Sequence, residues 1–343
     1  MTDSESTSIP IDLALQGGGA HGALTWGVLD RLLEESRFEI EGVSGTSAGA
    51  MNAAMLACGL ARGGREQARD LLAAFWQRVA DAARFSPFRR SPLDRWLGQW
   101  TLDHNPAYLM MDLAARGVSP YDFGGLAGNP LRAILDELLD YRCLAEGPVK
   151  LFVTATNVHT GQGRVFRRDE LGTDVLLASA CLPTLYQAVN IDGVPYWDGG
   201  YAGNPTMTPL VRECESNDTL LVQINPVVRE GTPRTAREIA SRVNEIAFNA
   251  TLLKELRMMA LLRQVLDPGE QEAQRWKAMR LHRISSERVL DLGHSSKLNA
   301  EWDFLRYLRD AGREAADQFL DEHGQDIGQR SSFDIDSLLQ QDC

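Results

Sequence analysis

The sequence is poor in basic residues and has no long apolar run. Lys and Arg number 35 against 47 Asp and Glu, which gives a net charge of −12. A chain of that charge repels polyanions, so we expect no nucleic-acid partner. A membrane span needs about 20 consecutive apolar residues, and the first fifteen residues carry acids where a secretory signal needs basic residues. We expect a cytoplasmic protein that contacts a bilayer at most peripherally.

Cysteine pairs are also lacking. The five cysteines are odd in number and widely spaced, with no CxxC pair and no histidine nearby at metal-ligand spacing. They are Cys58, Cys143, Cys181, Cys214 and Cys343. This pattern predicts neither a disulfide framework nor a metal site, and it favours a reducing compartment.

What is present begins with alternating strand and helix patterns. The chain has 343 residues, 44% of them hydrophobic, which suits one large α/β domain or two ordinary ones. Residues 11–15 predict a strand, residues 17–22 a glycine loop, and apolar residues around 28–33 a helix. A second strand is predicted at 38–43, followed by a helix over 50–57 that stops at Gly59. This βαβα order predicts a largely parallel sheet covered by helices on both faces.

The rest of the chain divides into an insertion, more sheet and a helical end. Residues 64–147 are predicted to form helices joined by loops. The aromatic residues of 85–111 are expected to lie in the core; the alternatives are that they line an acyl groove or contact a membrane. Further strands are predicted at 149–155, 163–166, 189–196, 220–224 and 280–284. Thr235 and Glu238 predict a capping box that begins a helix, and another helix is expected over 298–322. We expect a catalytic domain at 10–212 and a mainly helical extension at 213–343.

A candidate nucleophile lies at the end of the second predicted strand. Gly45, Thr46, Ser47, Ala48 and Gly49 match G-x-S-x-G, in which small residues let a serine occupy a sharp strand-to-helix turn. The following helix N-terminus favours a developing negative charge. An ordinary glycine-rich turn is the alternative interpretation.

The glycine loop comprises Gly17, Gly18, Gly19, Ala20, His21 and Gly22. Its spacing also fits the G-x-G-x-x-G turn of dinucleotide-binding proteins. That interpretation requires an acidic residue at the end of the next strand, whereas Glu39 and Glu41 lie earlier. The alternative is an oxyanion hole, because consecutive glycines let backbone N–H groups converge on one point.

The serine needs a base, and the residues leave two possibilities. The order of an α/β-hydrolase triad would use Asp198 with His282 or His294. Ser47 follows only two strands, however, and neither histidine lies in a glycine-rich turn. Asp198 is itself followed by Gly199 and Gly200, which would allow close approach to another strand's end. This segment could also be an ordinary turn.

Three motifs in this order resemble the patatin-like phospholipase family. They are GGGAHG at 17–22, GTSAG at 45–49 and DGG at 198–200, with ASACLP at 178–183 and Asn204-Pro205 around the third. The resemblance covers about residues 10–212. It implies a patatin-like three-layer fold with a mostly parallel central sheet flanked by helices.

The resemblance also implies a chemistry. Ser47 would be the nucleophile, Asp198 the base without a histidine, and the glycine loop the oxyanion hole, with no cofactor or metal and a lipid or other acyl ester as substrate. A free Asp has a pKa near 4, so Asp198 must be desolvated to act as a base. The family often has Arg or Lys where this chain has His21, so any cationic support there would depend on pH. A non-catalytic lipid-binding module on the same fold is the alternative function.

Overall fold

The computed structural model describes residues 8–114, 117–122, 128–266, 271–290 and 292–340. The strands are β1 Ile9–Leu15, β2 Phe38–Gly45, β3 Lys150–Asn157, β4 Gly163–Arg167, β5 Val189–Ile191, β6 Val194–Asp198, β7 Asp218–Val222 and β8 Arg280–Ile284. The helices are α1 Gly22–Leu32, α2 Ala48–Ala82, α3 Pro92–Trp96, α4 Pro106–Ala114, α5 Leu131–Leu138, α6 Tyr141–Glu146, α7 Thr173–Ser179, α8 Thr208–Glu213, α9 Ala236–Val265, α10 Gln271–Ala278, α11 Trp302–His323 and α12 Ser337–Gln340.

These strands form one mixed sheet with a parallel centre. Its order is β5-β6-β3-β2-β1-β7-β8, and β4 pairs with β3 away from this path. The neighbours β3-β2, β2-β1, β1-β7 and β7-β8 are parallel, whereas β6 and β4 run antiparallel to β3. Because the parallel strands β1 and β2 are neighbours, the loops that follow them meet at the same edge. The predicted α/β class with a mostly parallel sheet is confirmed.

The sheet is covered on both faces. Leu13 and Leu15 pack into a core built with α1, α2 and α11, whereas Ala14 between them packs into a second core with α8, α9 and α10. Successive side chains of a strand point to opposite faces, so one short apolar strand contributes to both cores. This gives the expected three layers.

Two sequence predictions about element boundaries are wrong. The helix predicted to stop at Gly59 continues as α2 to Ala82 and is interrupted only at Gly63 and Gly64. The strand predicted over 189–196 is a hairpin of β5 and β6, because Asp192 and Gly193 form a turn with φ values of 53° and 82°. Both residues at positive φ are typical of a two-residue hairpin turn.

The C-terminal extension contributes to the sheet as well as to its helical layers. Strands β7 and β8 extend the sheet beyond β1, and α9 begins with the predicted capping box between Thr235 and Glu238. The expectation that aromatic residues of 85–111 lie in the core fails for Phe85 and Trp96, which are 92% and 81% exposed. No helix among the described residues is long and apolar enough to cross a membrane.

Candidate active site

Ser47 lies at a strained turn between β2 and α2. Its φ of 55° and ψ of −123° are unusual for a residue with a side chain, and such conformations cluster at functional sites. Residues 45–49 form this turn, which we call the elbow, and close packing requires the glycines at its two ends. A Cβ on Gly45 would lie 2.6 Å from the Gly49 carbonyl, and one on Gly49 would collide with the Leu15 carbonyl. The G-x-S-x-G pattern therefore serves the tight strand-to-helix connection that the sequence predicted.

A second serine holds the elbow in place. The Ser47 N–H donates to Ser179 Oγ at 2.9 Å, and the Ser179 hydroxyl donates to the Thr154 carbonyl at 2.7 Å. Both bonds are buried, so losing either would leave a polar group without a partner. Ser179 thus ties the elbow to β3, and sequence reasoning assigned it no role.

The glycine loop, residues 17–22, runs directly over the elbow. A Cβ on Gly17 would lie 2.8 Å from Ser47 Cβ, and one on Gly22 would lie 2.6 Å from Ala48 Cβ. Side chains at these positions would push the loop away from the serine. The absence of side chains therefore brings the loop and the elbow into contact.

The backbone N–H groups of the loop divide into used and unused donors. The Gly17 N–H, which belongs to the expected oxyanion loop, donates to Asn204 Oδ1 at 2.7 Å and is therefore already engaged. The His21 N–H donates to the Gly18 carbonyl, and the Gly22 N–H donates to the carbonyls of Gly19 and Ala20 in the preceding 3-10 turn. No acceptor among the described residues binds the N–H of Gly18 or Gly19. These two groups are free to meet a ligand.

Asp198 ends β6 at the same edge of the sheet and is 1% exposed. Its Oδ1 accepts the Gly200 N–H at 2.8 Å, while Oδ2 is buried without a hydrogen-bond partner in the described part of the chain. Burial raises the pKa of Asp198 from 3.8 to about 7, against the opposing effects of the Gly200 N–H, the Ser47 hydroxyl and the Lys297 charge. The desolvation that the sequence argument required is therefore present.

Ser47 and Asp198 are brought together, although not yet in a formed hydrogen bond. The hydroxyl is near enough to lower the pKa of the carboxyl, but Oδ2 has no partner in good hydrogen-bond geometry within the described residues. Such contacts often tighten only when substrate binds. Gly199 and Gly200 allow the approach, because a Cβ on Gly199 would lie 2.9 Å from Thr46 Cγ2 and one on Gly200 would collide with Phe248 of α9.

The two histidines considered for a triad do not form one. His282 lies on β8, three strands from the β2 strand that carries the elbow, which places the two strands roughly 14 Å apart at ordinary strand spacing. Its ring nitrogens contact Asp218 Oδ1 at 3.0 Å and Ser332 Oγ at 2.9 Å. Burial and the charge of Lys297 lower the pKa of His294 to about 4. No histidine in the described ranges bonds to the Asp198 carboxylate. Of the others, His104 and His323 bond to Asp94 and Asp326, and His159 is exposed.

His21 of the glycine loop cannot supply a positive charge near neutral pH. Burial lowers its pKa well below the usual value, and the charges of Lys297 and Arg229 act in the same direction. Its Nε2 lies 2.7 Å from Ser296 Oγ, whose hydroxyl donates to the Gly293 carbonyl. Ser296 therefore accepts at this contact, so the neutral ring carries its proton on Nε2. Near neutral pH, His21 is therefore a neutral ring that donates from Nε2 to Ser296 Oγ.

Residues of the extension complete the surroundings of the loop. Lys297 Nζ donates to Asn225 Oδ1 at 2.7 Å, and Asn225 Nδ2 donates to the Gly17 carbonyl at 2.7 Å. Sequence reasoning missed both. Asn225 follows closely after β7, and a polar residue at the carboxyl end of a predicted parallel strand was the available signal. Within the described residues, no group of three or more His, Cys, Asp or Glu side chains could hold a metal ion.

A serine on a strand-to-helix elbow beside free backbone N–H groups is typical of serine-dependent hydrolases of α/β fold. In this chain the ionisable group next to the serine is the buried Asp198 carboxyl. The chain belongs to the patatin-like phospholipase family, which matches it over residues 13–211. This confirms the resemblance inferred from the three motifs. A search of curated proteins found no significant match.

Three solved structures show limited similarity. VipD from Legionella pneumophila is 17% identical, with 97% of this chain and 79% of VipD covered and a TM-score of 0.34. The type III effector protein ExoU is 16% identical, with coverages of 91% and 54% and a TM-score of 0.31. The ExoU–SpcU complex from Pseudomonas aeruginosa is 17% identical, with coverages of 97% and 65% and a TM-score of 0.27.

Proposed function

We propose that the protein is a serine acyl hydrolase that cleaves carboxylic ester bonds of lipids, with Ser47 as nucleophile and Asp198 as base. The observation that carries this proposal is the Asp198 carboxyl. It is buried at the end of β6, has a free Oδ2 beside the elbow, and has a pKa of about 7. A base with that pKa is suited to proton transfer near neutral pH.

The steps follow from the positions of these groups. Ser47 Oγ attacks the ester carbonyl carbon while Asp198 Oδ2 accepts the hydroxyl proton. The carbonyl oxygen becomes an oxyanion, which the N–H groups of Gly18 and Gly19 stabilise. The intermediate then expels the alcohol, which takes the proton from Asp198, and an acyl group stays on Ser47.

Water completes the cycle by the reverse sequence of proton transfers. It attacks the acyl carbon, gives its proton to Asp198, and the carboxylic acid leaves as Ser47 Oγ regains that proton. Every proton and electron pair comes from the chain, the substrate or water, so the proposal includes no cofactor.

A lipid surface is the proposed source of substrate. The family acts on lipids, and Phe85, Trp96 and Met110 of the 64–147 insertion are 92%, 81% and 68% exposed. Exposed aromatic and apolar side chains suit contact with an interface. We retain residues 10–212 as the catalytic unit and 213–343 as an extension that completes the site's surroundings.

The test combines a covalent probe with a substrate panel. A fluorophosphonate should label the wild type at Ser47 and should not label Ser47→Ala, whereas Ser119→Ala, which removes an exposed serine, should be labelled normally. The panel offers short-chain p-nitrophenyl esters, lysophospholipid, and phospholipid and neutral glyceride in vesicles. Turnover should be lost in Ser47→Ala for every substrate that is cleaved.

The same measurements distinguish the alternative function. Vesicle binding without turnover, combined with failure of the probe to react, would support a lipid-binding module instead. Labelling or hydrolysis that persists in Ser47→Ala would contradict the assigned nucleophile.

A further inference from the structure

The proposed site lacks a positive charge on its own glycine loop. His21 is neutral because its burial lowers the pKa well below the usual value. An oxyanion over the loop would otherwise depend on neutral backbone donors such as the N–H groups of Gly18 and Gly19. A cation elsewhere in the structure could strengthen these donors, provided that a polar contact transmits its effect.

Lys297 is the cation that contacts the loop from the extension. It lies in the 3-10 turn His294–Leu298 and is partly buried. Its carbonyl lies so close to Gly19 that a Cβ there would be 2.5 Å from that oxygen. Backbone and side chain of Lys297 therefore both meet the glycine loop, the first directly and the second through Asn225.

The side-chain contacts form a continuous chain of hydrogen bonds. Lys297 Nζ donates to Asn225 Oδ1, and Asn225 Nδ2 donates to the Gly17 carbonyl. The Gly17 carbonyl and the Gly18 N–H belong to one peptide group, so a bond accepted by that oxygen polarises that N–H. The last donor in this series is one of the two free N–H groups of the loop.

The ammonium of Lys297 is not neutralised by an ion pair. Glu245 of α9 is the nearby carboxylate with the largest effect on it, but Glu245 is bound by Arg229 at 2.7 Å and Arg242 at 3.2 Å. No described carboxylate forms an ion pair with Lys297. A partly buried ammonium that no carboxylate contacts directly favours a negative charge forming in its surroundings.

We propose that Lys297 is a positioning residue of this hydrolase site, which acts through Asn225 and the Gly17 peptide to make the Gly18 N–H a stronger oxyanion donor. The inference rests on the proposed function and assigns to the extension a part in the reaction. It places the positive charge of the site outside residues 13–211, the range that matches the family.

The charged neighbours of Lys297 set the expected pH dependence. Burial lowers the pKa of Lys297 to about 8; Glu245 and Asp198 raise it, and Arg229 lowers it further. Lys297 loses its charge as the pH rises through about 8, while Asp198 becomes a competent base as the pH rises through about 7. The pH profile of the Ser47-dependent kcat/KM should therefore be bell-shaped, with an acid limb near pH 7 and an alkaline limb near pH 8.

The experiment measures kcat and KM across pH for Lys297→Met, Lys297→Arg and Asn225→Leu. Lys297→Met should lower kcat by about 10-fold to 100-fold with little change in KM, because the donor matters most in the transition state. Asn225→Leu should lower it similarly, and the double variant should be no worse than either single one. Lys254→Met, which removes an exposed lysine of α9, should match the wild type.

Lys297→Arg gives the decisive pH profile. Arginine keeps its charge beyond pH 12, so this variant should retain turnover and lose the alkaline limb near pH 8. A structural role alone would not move that limb. Unfolding curves identify any variant that fails to fold. If Lys297→Met or Asn225→Leu fails, the pH profile of Lys297→Arg alone tests the proposal.

The inference is overturned if Lys297→Met turns over at the wild-type rate, if the Lys297→Arg profile keeps its alkaline limb, or if the losses in the double variant multiply. For each variant, only the turnover that Ser47→Ala abolishes is compared with the wild type. A Ser47→Ala enzyme that remained active would instead refute the proposed function itself, which keeps the two failures distinct.

Discussion

Asp198→Asn should make the protein more stable while abolishing turnover. The native carboxyl is 1% exposed and its Oδ2 has no partner among the described residues. Its charge is therefore held at a cost to folding. An asparagine of nearly the same shape keeps an oxygen for the Gly200 N–H and carries no charge.

The sign and size of the effect follow from the pKa of Asp198. In the unfolded chain the carboxyl ionises near 3.8, and in the folded protein near 7. Between these values the folded state alone retains the proton, so the stability of the wild type falls as the pH rises through this window and levels off above it. At about 1.4 kcal/mol for each tenfold change in proton affinity, the full cost is about 4 kcal/mol.

The assay is urea unfolding of wild type and variant at several pH values from 4 to 8. Asp198→Asn should have nearly the wild-type unfolding free energy at about pH 4 and exceed it by about 4 kcal/mol at pH 8. Asp192→Asn is the matched control, because this exposed turn residue has a positive φ that asparagine also tolerates. A difference that is independent of pH, or a less stable Asp198→Asn at pH 8, would refute the reasoning.

Two further substitutions test the loop and the histidines. Gly19→Ala should lower kcat by about 100-fold or more, because Gly19 has a φ of 60° and the new Cβ would collide with the Lys297 carbonyl. The control is Gly161→Ala, at a φ of 70° with open space around the residue, which should keep wild-type turnover. Equal losses of kcat in the two variants would contradict this prediction. His282→Ala should keep turnover but lose about 2 kcal/mol of unfolding free energy, since it removes the hydrogen bonds of the buried imidazole to Asp218 Oδ1 and Ser332 Oγ. An inactive His282→Ala with normal unfolding would return this histidine to the mechanism.

The parts of the site that the sequence predicted are those written in short motifs. Ser47 and the glycine loop follow predicted strands directly, and parallel neighbours bring such loops to one edge. Asp198 was predicted from the two glycines after it, which allow its close approach. In each case the reactive group and the glycines that its backbone conformation requires lie within a few residues of each other in the sequence.

The missed residues depend on contacts across the sheet. Asn225 reaches the loop because β7 pairs in parallel with β1, and no local pattern specifies which strand lies beside which. Lys297 comes from a short 3-10 turn without a motif. The fold shows the same limit: individual strands were predicted, but the strand order and the antiparallel pairing of β6 with β3 were not. Gly59 was misread because its close packing, rather than a helix end, requires glycine there.

The position of β1 in the sheet has a consequence for synthesis. β1 is synthesised well before β7, yet one of its edges is covered only when β7 pairs with it. The hydrogen bond from the Ile224 N–H to Gln16 Oε1, just beyond these two strands, joins residues 208 positions apart. Until then, the growing chain carries an apolar strand with an unpaired edge, which is a template for aggregation. The sheet should therefore be completed only after β7 has been synthesised, and chaperones should protect the β1 edge until then.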